Sequence, residues 1–167
     1  MTSPLPEAAS RSDRHDPYGL GDFLLASHRD QLALCASLEA IADSLPAQID
    51  RPACINAARA LSPVISHAHT LEEDVVFPAI ARRWPQLSGL TRTIERLKFE
   101  HLEDICFSEE LYDALMTYGR GEDRPAPEAF GYMLRGFFEG LRRHIAFEQE
   151  VIVPLFRLGA SGDDRND

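Results

Sequence analysis

No apolar run in the sequence reaches the roughly 18 residues that a membrane-spanning helix needs, so nothing is expected to cross a bilayer. The segment from Met1 to Asp16 lacks a hydrophobic stretch as well; it is polar and rich in Pro and Ser, unlike a secretory signal. Basic residues are in short supply, with 17 Lys and Arg against 27 Asp and Glu and a net charge of −10. Affinity for phosphate backbones comes from clustered Lys and Arg, so the balance argues against nucleic acid as a partner. Cysteine is scarce: Cys35, Cys54 and Cys106 are an odd number, widely spaced and without any C-x-x-C. That excludes a disulfide framework and points to a reduced, cytoplasmic protein. Strand-like alternation of apolar and polar residues is absent too.

What is present is helical periodicity. The 167 residues suffice for one domain with a single core, and 44% apolar with 26% charged residues is ordinary for a soluble globular chain. The pattern predicts four long helices at about 19–45, 51–83, 88–119 and 127–157. Leu45-Pro46 stops the first, and Asp50-Arg51-Pro52 offers a cap and an early proline to the second. Trp84-Pro85 ends the second, Ser88 is available to cap the third, and Gly119-Arg120-Gly121 closes it before Pro127 opens the fourth. Connections this short force neighbouring helices antiparallel. The predicted fold is all-α, an up-down-up-down antiparallel four-helix bundle over residues 18–158, compatible with a monomer or a homodimer. Residues 1–17 and 159–167 read as disordered polar tails.

Each predicted helix carries one histidine in its apolar seam. In the fourth, Leu134, Phe137, Leu141, His144, Glu148, Val151 and Leu155 follow steps of three and four without interruption. The third repeats the pattern through Leu90, Ile94, Leu97, His101, Ile105, Ser108, Tyr112 and Leu115. In the second, Leu61, Ile65, His69, Glu73, Val76 and Ile80 share a face; in the first, Leu24, His28, Leu32 and Cys35 do so, with Glu39 a turn further on. Depth supplies an independent check. Counted from the helix ends at Leu45, Arg51, Gly119 and Pro127, the histidines lie 17, 18, 18 and 17 residues up. At about 1.5 Å rise per residue the four imidazoles meet at one level, with Glu73 and Glu148 one turn above.

Six buried titratable groups cost several kcal/mol unless all are paired, whereas imidazole nitrogens and carboxylate oxygens are natural metal ligands. H-x-x-x-E puts both side chains on one helix face and occurs twice, as His69 to Glu73 and His144 to Glu148. Each copy is followed by an apolar stretch with a proline, Val76-Phe77-Pro78 and Ile152-Val153-Pro154. Those prolines remove bonds to the carbonyls of Asp74 and Glu150, so both helices should bend just past the site.

The pattern His28, His69/Glu73, His101, His144/Glu148, one element per helix, resembles the hemerythrin-like, or HHE cation-binding, domains over about residues 18–157. The resemblance implies a non-haem centre of two iron ions, with the two glutamates bridging them. Four histidines and two bidentate carboxylates supply eight bonds against roughly twelve for two six-coordinate irons. An oxo or hydroxo bridge takes two more and leaves positions for O₂, NO or peroxide; zinc and manganese use the same ligand types. The family's oxygen carriers have two histidines a turn apart on the third helix, where this chain has only Leu97 and Ile105 about His101. That argues against a dedicated O₂ carrier. The family's iron–sulfur repair members are similar in spacing, but their extra histidine and cysteine-bearing N-terminal segment are not evident here.

Other polar residues read less sharply. His67 lies roughly 160° round the helix from His69 and should face outward. His15 falls in the tail. Glu72, Glu100 and Asp104 flank ligand positions, as solvated or ion-paired residues or as hydrogen-bonding support for an imidazole. Cys35 reads as a small core residue, and Tyr112, Phe137 and Phe147 as packing. Three functions compete in order: a small-ligand or redox-sensing di-iron protein, an iron-handling or NO- or peroxide-consuming enzyme, and a metal-independent interaction module.

Overall fold

The computed structural model describes residues 19–122 and 124–157, so both predicted tails, and His15 with them, lie outside the described residues. Helix α1 spans Leu20–Ser44 and α2 Arg51–Leu71; a π-helical turn, Glu72–Val76, joins α2 directly to α3, Phe77–Arg83. Helix α4 runs over Leu90–Gly119, α5 over Pro127–Val151 and the short α6 over Val153–Arg157. No strand occurs among the described residues. The long helices pack in a ring, α1 touching α2 and α5 while α4 touches the same two.

Local chemistry sets the ends. Asp50 accepts a hydrogen bond from the Ala53 amide at 2.9 Å, with Pro52 in the first turn of α2 and Pro127 in that of α5, as the sequence predicts. Ser88 does not cap α4. Gly89 takes that place at φ 82°, a left-handed backbone that glycine adopts without strain, and the helix starts at Leu90.

The interior divides in two. A floor cluster fills the end where Arg51 reaches the Tyr118 carbonyl; Leu38, Leu61, Leu115, Phe130, Leu134 and Phe137 are its bulk. A smaller upper cluster gathers Leu24, Phe77, Ile80, Leu97, Ile152 and Phe156. There the Trp84 indole N–H donates to the Leu155 carbonyl at 3.2 Å. The fourth predicted seam holds from Leu134 to Glu148. Two others rotate. On α4 the buried line is Leu97, His101, Ser108, Leu111, Leu115 and Tyr118, with Asp104 between the second and third, while Ile105 and Tyr112 are exposed. On α1, Gln31 and Leu38 take the inward places expected of Leu32 and Glu39; Leu32 is exposed and Glu39 pairs with Arg142 at 2.6 Å.

Candidate metal centre

Between the two apolar clusters lies a polar layer. His28 from α1, His69 from α2, His101 from α4 and His144 and Glu148 from α5 are all buried there. The His69 and His101 rings stack at 3.9 Å and 11°, and those of His101 and His144 lie 5.1 Å apart. His28 donates from Nε2 to Oε2 of Glu148 at 2.9 Å, and His144 Nε2 lies 3.7 Å from the other oxygen.

The second carboxylate of the layer is Glu72, not Glu73. Glu72 is 1% exposed, and its Oε2 comes within 2.9 Å of His101 Nε2, without the alignment of a hydrogen bond. Glu73 is a third exposed and lies on the other side of that ring, accepting a bond from His101 Nδ1 at 2.7 Å. The expectation that Glu73 faces the cluster does not hold in this structure, and the backbone supplies the reason. Buried positions Leu61, Ile65, Ala68, Glu72, Val76 and Ile80 advance by four, three, four, four and four. Three fours in succession carry an unbroken α-helix about 120° off its face. The π turn, in which the Phe77 amide donates to the Glu72 carbonyl, takes an extra residue and keeps the face inward. A signal for this stands in the sequence: Glu72 and Glu148 each lie six residues before a proline, Pro78 and Pro154, whereas Glu73 lies five.

Carboxylates outside the layer orient its rings. His144 donates from Nδ1 to Glu100 at 2.9 Å, as His101 does to Glu73. With Nδ1 so engaged, each ring turns Nε2 inward, the arrangement that metal-ligating histidines adopt. Phe77 stacks on the far side of His101 at 5.9 Å. His67 faces outward, as predicted, and lines a surface groove of about 970 Å³ between α1 and α2 that none of these ligand-type residues enters.

The inward atoms lack partners. Both oxygens of Glu72, Nε2 of His101 and of His144, Oε1 of Glu148, both nitrogens of His69 and Oδ2 of Asp104 are buried without a hydrogen bond. Unsatisfied buried polar atoms cost free energy, and here they converge: one ligand atom each from Glu72, His101, His144 and Glu148 lies within 4.8 Å of all the others. Burial pushes His69 down to about 3, so its ring is neutral and free to bind a cation at ordinary pH. Burial also raises Glu72 and Asp104 above the usual carboxylate value. His101 runs the other way: burial alone would lower it, but Glu72 and Glu73 against its two nitrogens raise it. Cys35 and Cys54, pushed up to about 11 by burial, are inert thiols away from this chemistry. The set fits a cation, since donor atoms, charge and missing partners coincide at one place.

No helix among the described residues is long and apolar enough to cross a membrane. Comparison with known families matches the chain to the family described as hemerythrin HHE cation binding domain, over residues 20–156. Comparisons with curated proteins and with solved structures find no match.

Proposed function

The chain belongs to the hemerythrin HHE cation-binding family, and we propose that it holds two iron ions in the polar layer and binds or senses a small ligand or oxidant: O₂, NO or peroxide. The observation that carries this reading is the convergence of buried ligand atoms with no partner from the protein. His28, His69, His101, His144, Glu72 and Glu148 would hold the ions. Glu73 and Glu100 set the ring orientation through the Nδ1 bonds of His101 and His144. When bound, an iron pair supplies one-electron redox chemistry and coordination positions for a small ligand. The chain's own contribution is a buried, oriented set of donors, closed above by Leu24, Phe77 and Leu97.

The same reading takes the helices as an up-down-up-down antiparallel bundle. It is supported by the groove between α1 and α2, which Ser27 and His67 line toward the polar layer and Ser44 and Asp50 line at the floor. Three free cysteines fit a reduced, cytoplasmic setting.

The test is metal content per chain, with an absorption spectrum, on protein from iron-supplied cells. About two irons and a near-ultraviolet oxo-bridge band are the expected result; under ~0.2 metal per chain after iron loading overturns it. Zinc or manganese in place of iron would keep the site and change the chemistry. Catalysed loss of NO or peroxide by the diferrous protein would move the reading from sensor to enzyme.

A further inference from the structure

The four residues whose ligand atoms lie within 4.8 Å of one another, Glu72, His101, His144 and Glu148, leave room for one ion, given metal–ligand bonds of about 2.0–2.2 Å. The two-ion reading above, on which this inference rests, needs donors for a second. His69 stands outside that foursome. It is the one histidine of the layer with neither ring nitrogen hydrogen-bonded, and its side chain is only 7% exposed. Stacking on His101 fixes its ring plane.

Asp104 sits on α4 three residues after His101, at an inward position of the seam that the sequence pattern assigned to Ile105. Its Oδ2 is buried without a hydrogen bond and lies 4.0 Å from Nε2 of His69. No Lys or Arg pairs with it among the described residues, where His69 is its one ion-pair contact. Two unpartnered donors 4.0 Å apart are too far for a hydrogen bond, yet closer than twice a metal–ligand bond of about 2.0–2.2 Å. One cation between them satisfies both. We propose that Asp104 is a metal ligand, a third carboxylate of the centre, and that with His69 it holds the second ion.

The surroundings agree. Asp104 and His144 line a cavity of about 420 Å³ between α4 and α5, with Glu100, Gly140 and Arg143 about them. Gly140 leaves its side of the cavity open, since an added Cβ would meet only the far end of Arg143. A solvent-borne cation therefore reaches the layer on the Asp104 side.

The test loads the full apo chain anaerobically with Fe(II), against a competing chelator, and counts ions per chain in wild type, Asp104→Asn and Glu103→Gln. Circular dichroism of each apo form monitors folding, and Asp104→Ala serves if the amide disturbs it. Expected are two ions in wild type and in Glu103→Gln. In Asp104→Asn one ion keeps its affinity and the second loses at least tenfold. Two ions of unchanged affinity in Asp104→Asn overturn the assignment of Asp104 alone. A single ion in wild type overturns the two-ion reading itself, and this assignment with it.

Discussion

The floor of the bundle and the layer above it follow opposite rules. Below, Leu38, Leu61, Leu115, Phe130 and Phe137 pack hydrocarbon against hydrocarbon on unbroken α-helices. Above, four histidines and three carboxylates lie among partnerless atoms, and both helix interruptions fall in this layer or one turn past it: the π turn at Glu72–Val76 and the break at Ile152. An apolar interior rewards regular backbone, because any turn that presents the stripe will do. A ligand cluster instead requires particular atoms aimed at one place, and π turns are a recurrent way of aiming them. The lesson is a division of labour, in which the floor stabilises the fold and the layer is held in an otherwise unfavourable state by it.

Truncating the floor should therefore give the largest effect and leave the layer's chemistry alone. Phe137 is 1% exposed and meets Phe107 edge-on at 5.6 Å. Phe137→Ala should cost about 3–5 kcal/mol in urea unfolding, equally for apo and metal-loaded protein. A cost that shrinks when metal is present would show the two regions to be coupled. Metal removal probes the other side. Free metal at about 100 Kd should add about 2.7 kcal/mol for each ion bound, lost to a chelator, and Phe137→Ala should show the same increment.

The two regions also differ in how far the sequence discloses them. The floor follows from periodicity, as in the line from Leu134 through Phe137 to Leu141, because steps of three and four alone decide which residues are buried. Helix ends were legible for a similar local reason: Asp50 with Pro52, and Pro127, carry their own capping chemistry. The histidines were legible because the chain has few, and their depths from the helix ends agree. Glu148 was legible for the same reason as its seam, one turn on from His144; Glu72 was not. Residues three and four on from His69 lie about 60° and 40° off its direction, on opposite sides, so counting along an ideal helix favours Glu73. The π turn that selects Glu72 breaks that count, and its one trace in the sequence is the spacing of Glu72 to Pro78. Asp104 was obscured in the same way, since placing Ile105 in the seam of α4 rotates that helix by one residue.

Glu72 and Glu73 thus turn a difference in backbone into a difference in binding. Glu73→Gln keeps a hydrogen-bond acceptor for His101 but removes its charge. It should weaken metal binding by 10–100-fold, about 1.4–2.7 kcal/mol, as loss of a ring-orienting carboxylate usually does. Glu72→Gln removes a donor from the centre and should weaken binding at least tenfold more, by chelator competition. The reverse order would restore Glu73 as the inward ligand.

The smallest effect is the pH dependence of the apo fold, and its sign separates the layer from the floor, which has few groups to titrate. Glu72 and Asp104 are raised in the folded chain, so their contribution is present at low pH and lost as pH rises through their folded values. His101 is raised as well and contributes below about 6.5, losing that as pH climbs. His69, held at about 3, does the reverse: its contribution is intact above about 6.5 and fades as pH falls toward 3. Between pH 8 and about 6.5 His101 takes up its proton while His69 does not yet act, so the apo protein should become more stable on acidification, by at most about 1.4 kcal/mol per pH unit for that proton. Below that, His69 opposes the carboxylates and the gain should flatten. Metal-loaded protein should show the opposite slope, because protons compete with the cation for the same atoms. Melting curves at pH 8, 7 and 6.5, with and without chelator, measure both slopes. An apo protein that loses stability from pH 8 to 6.5 would mean that Glu72 and Glu73 do not hold a proton on His101.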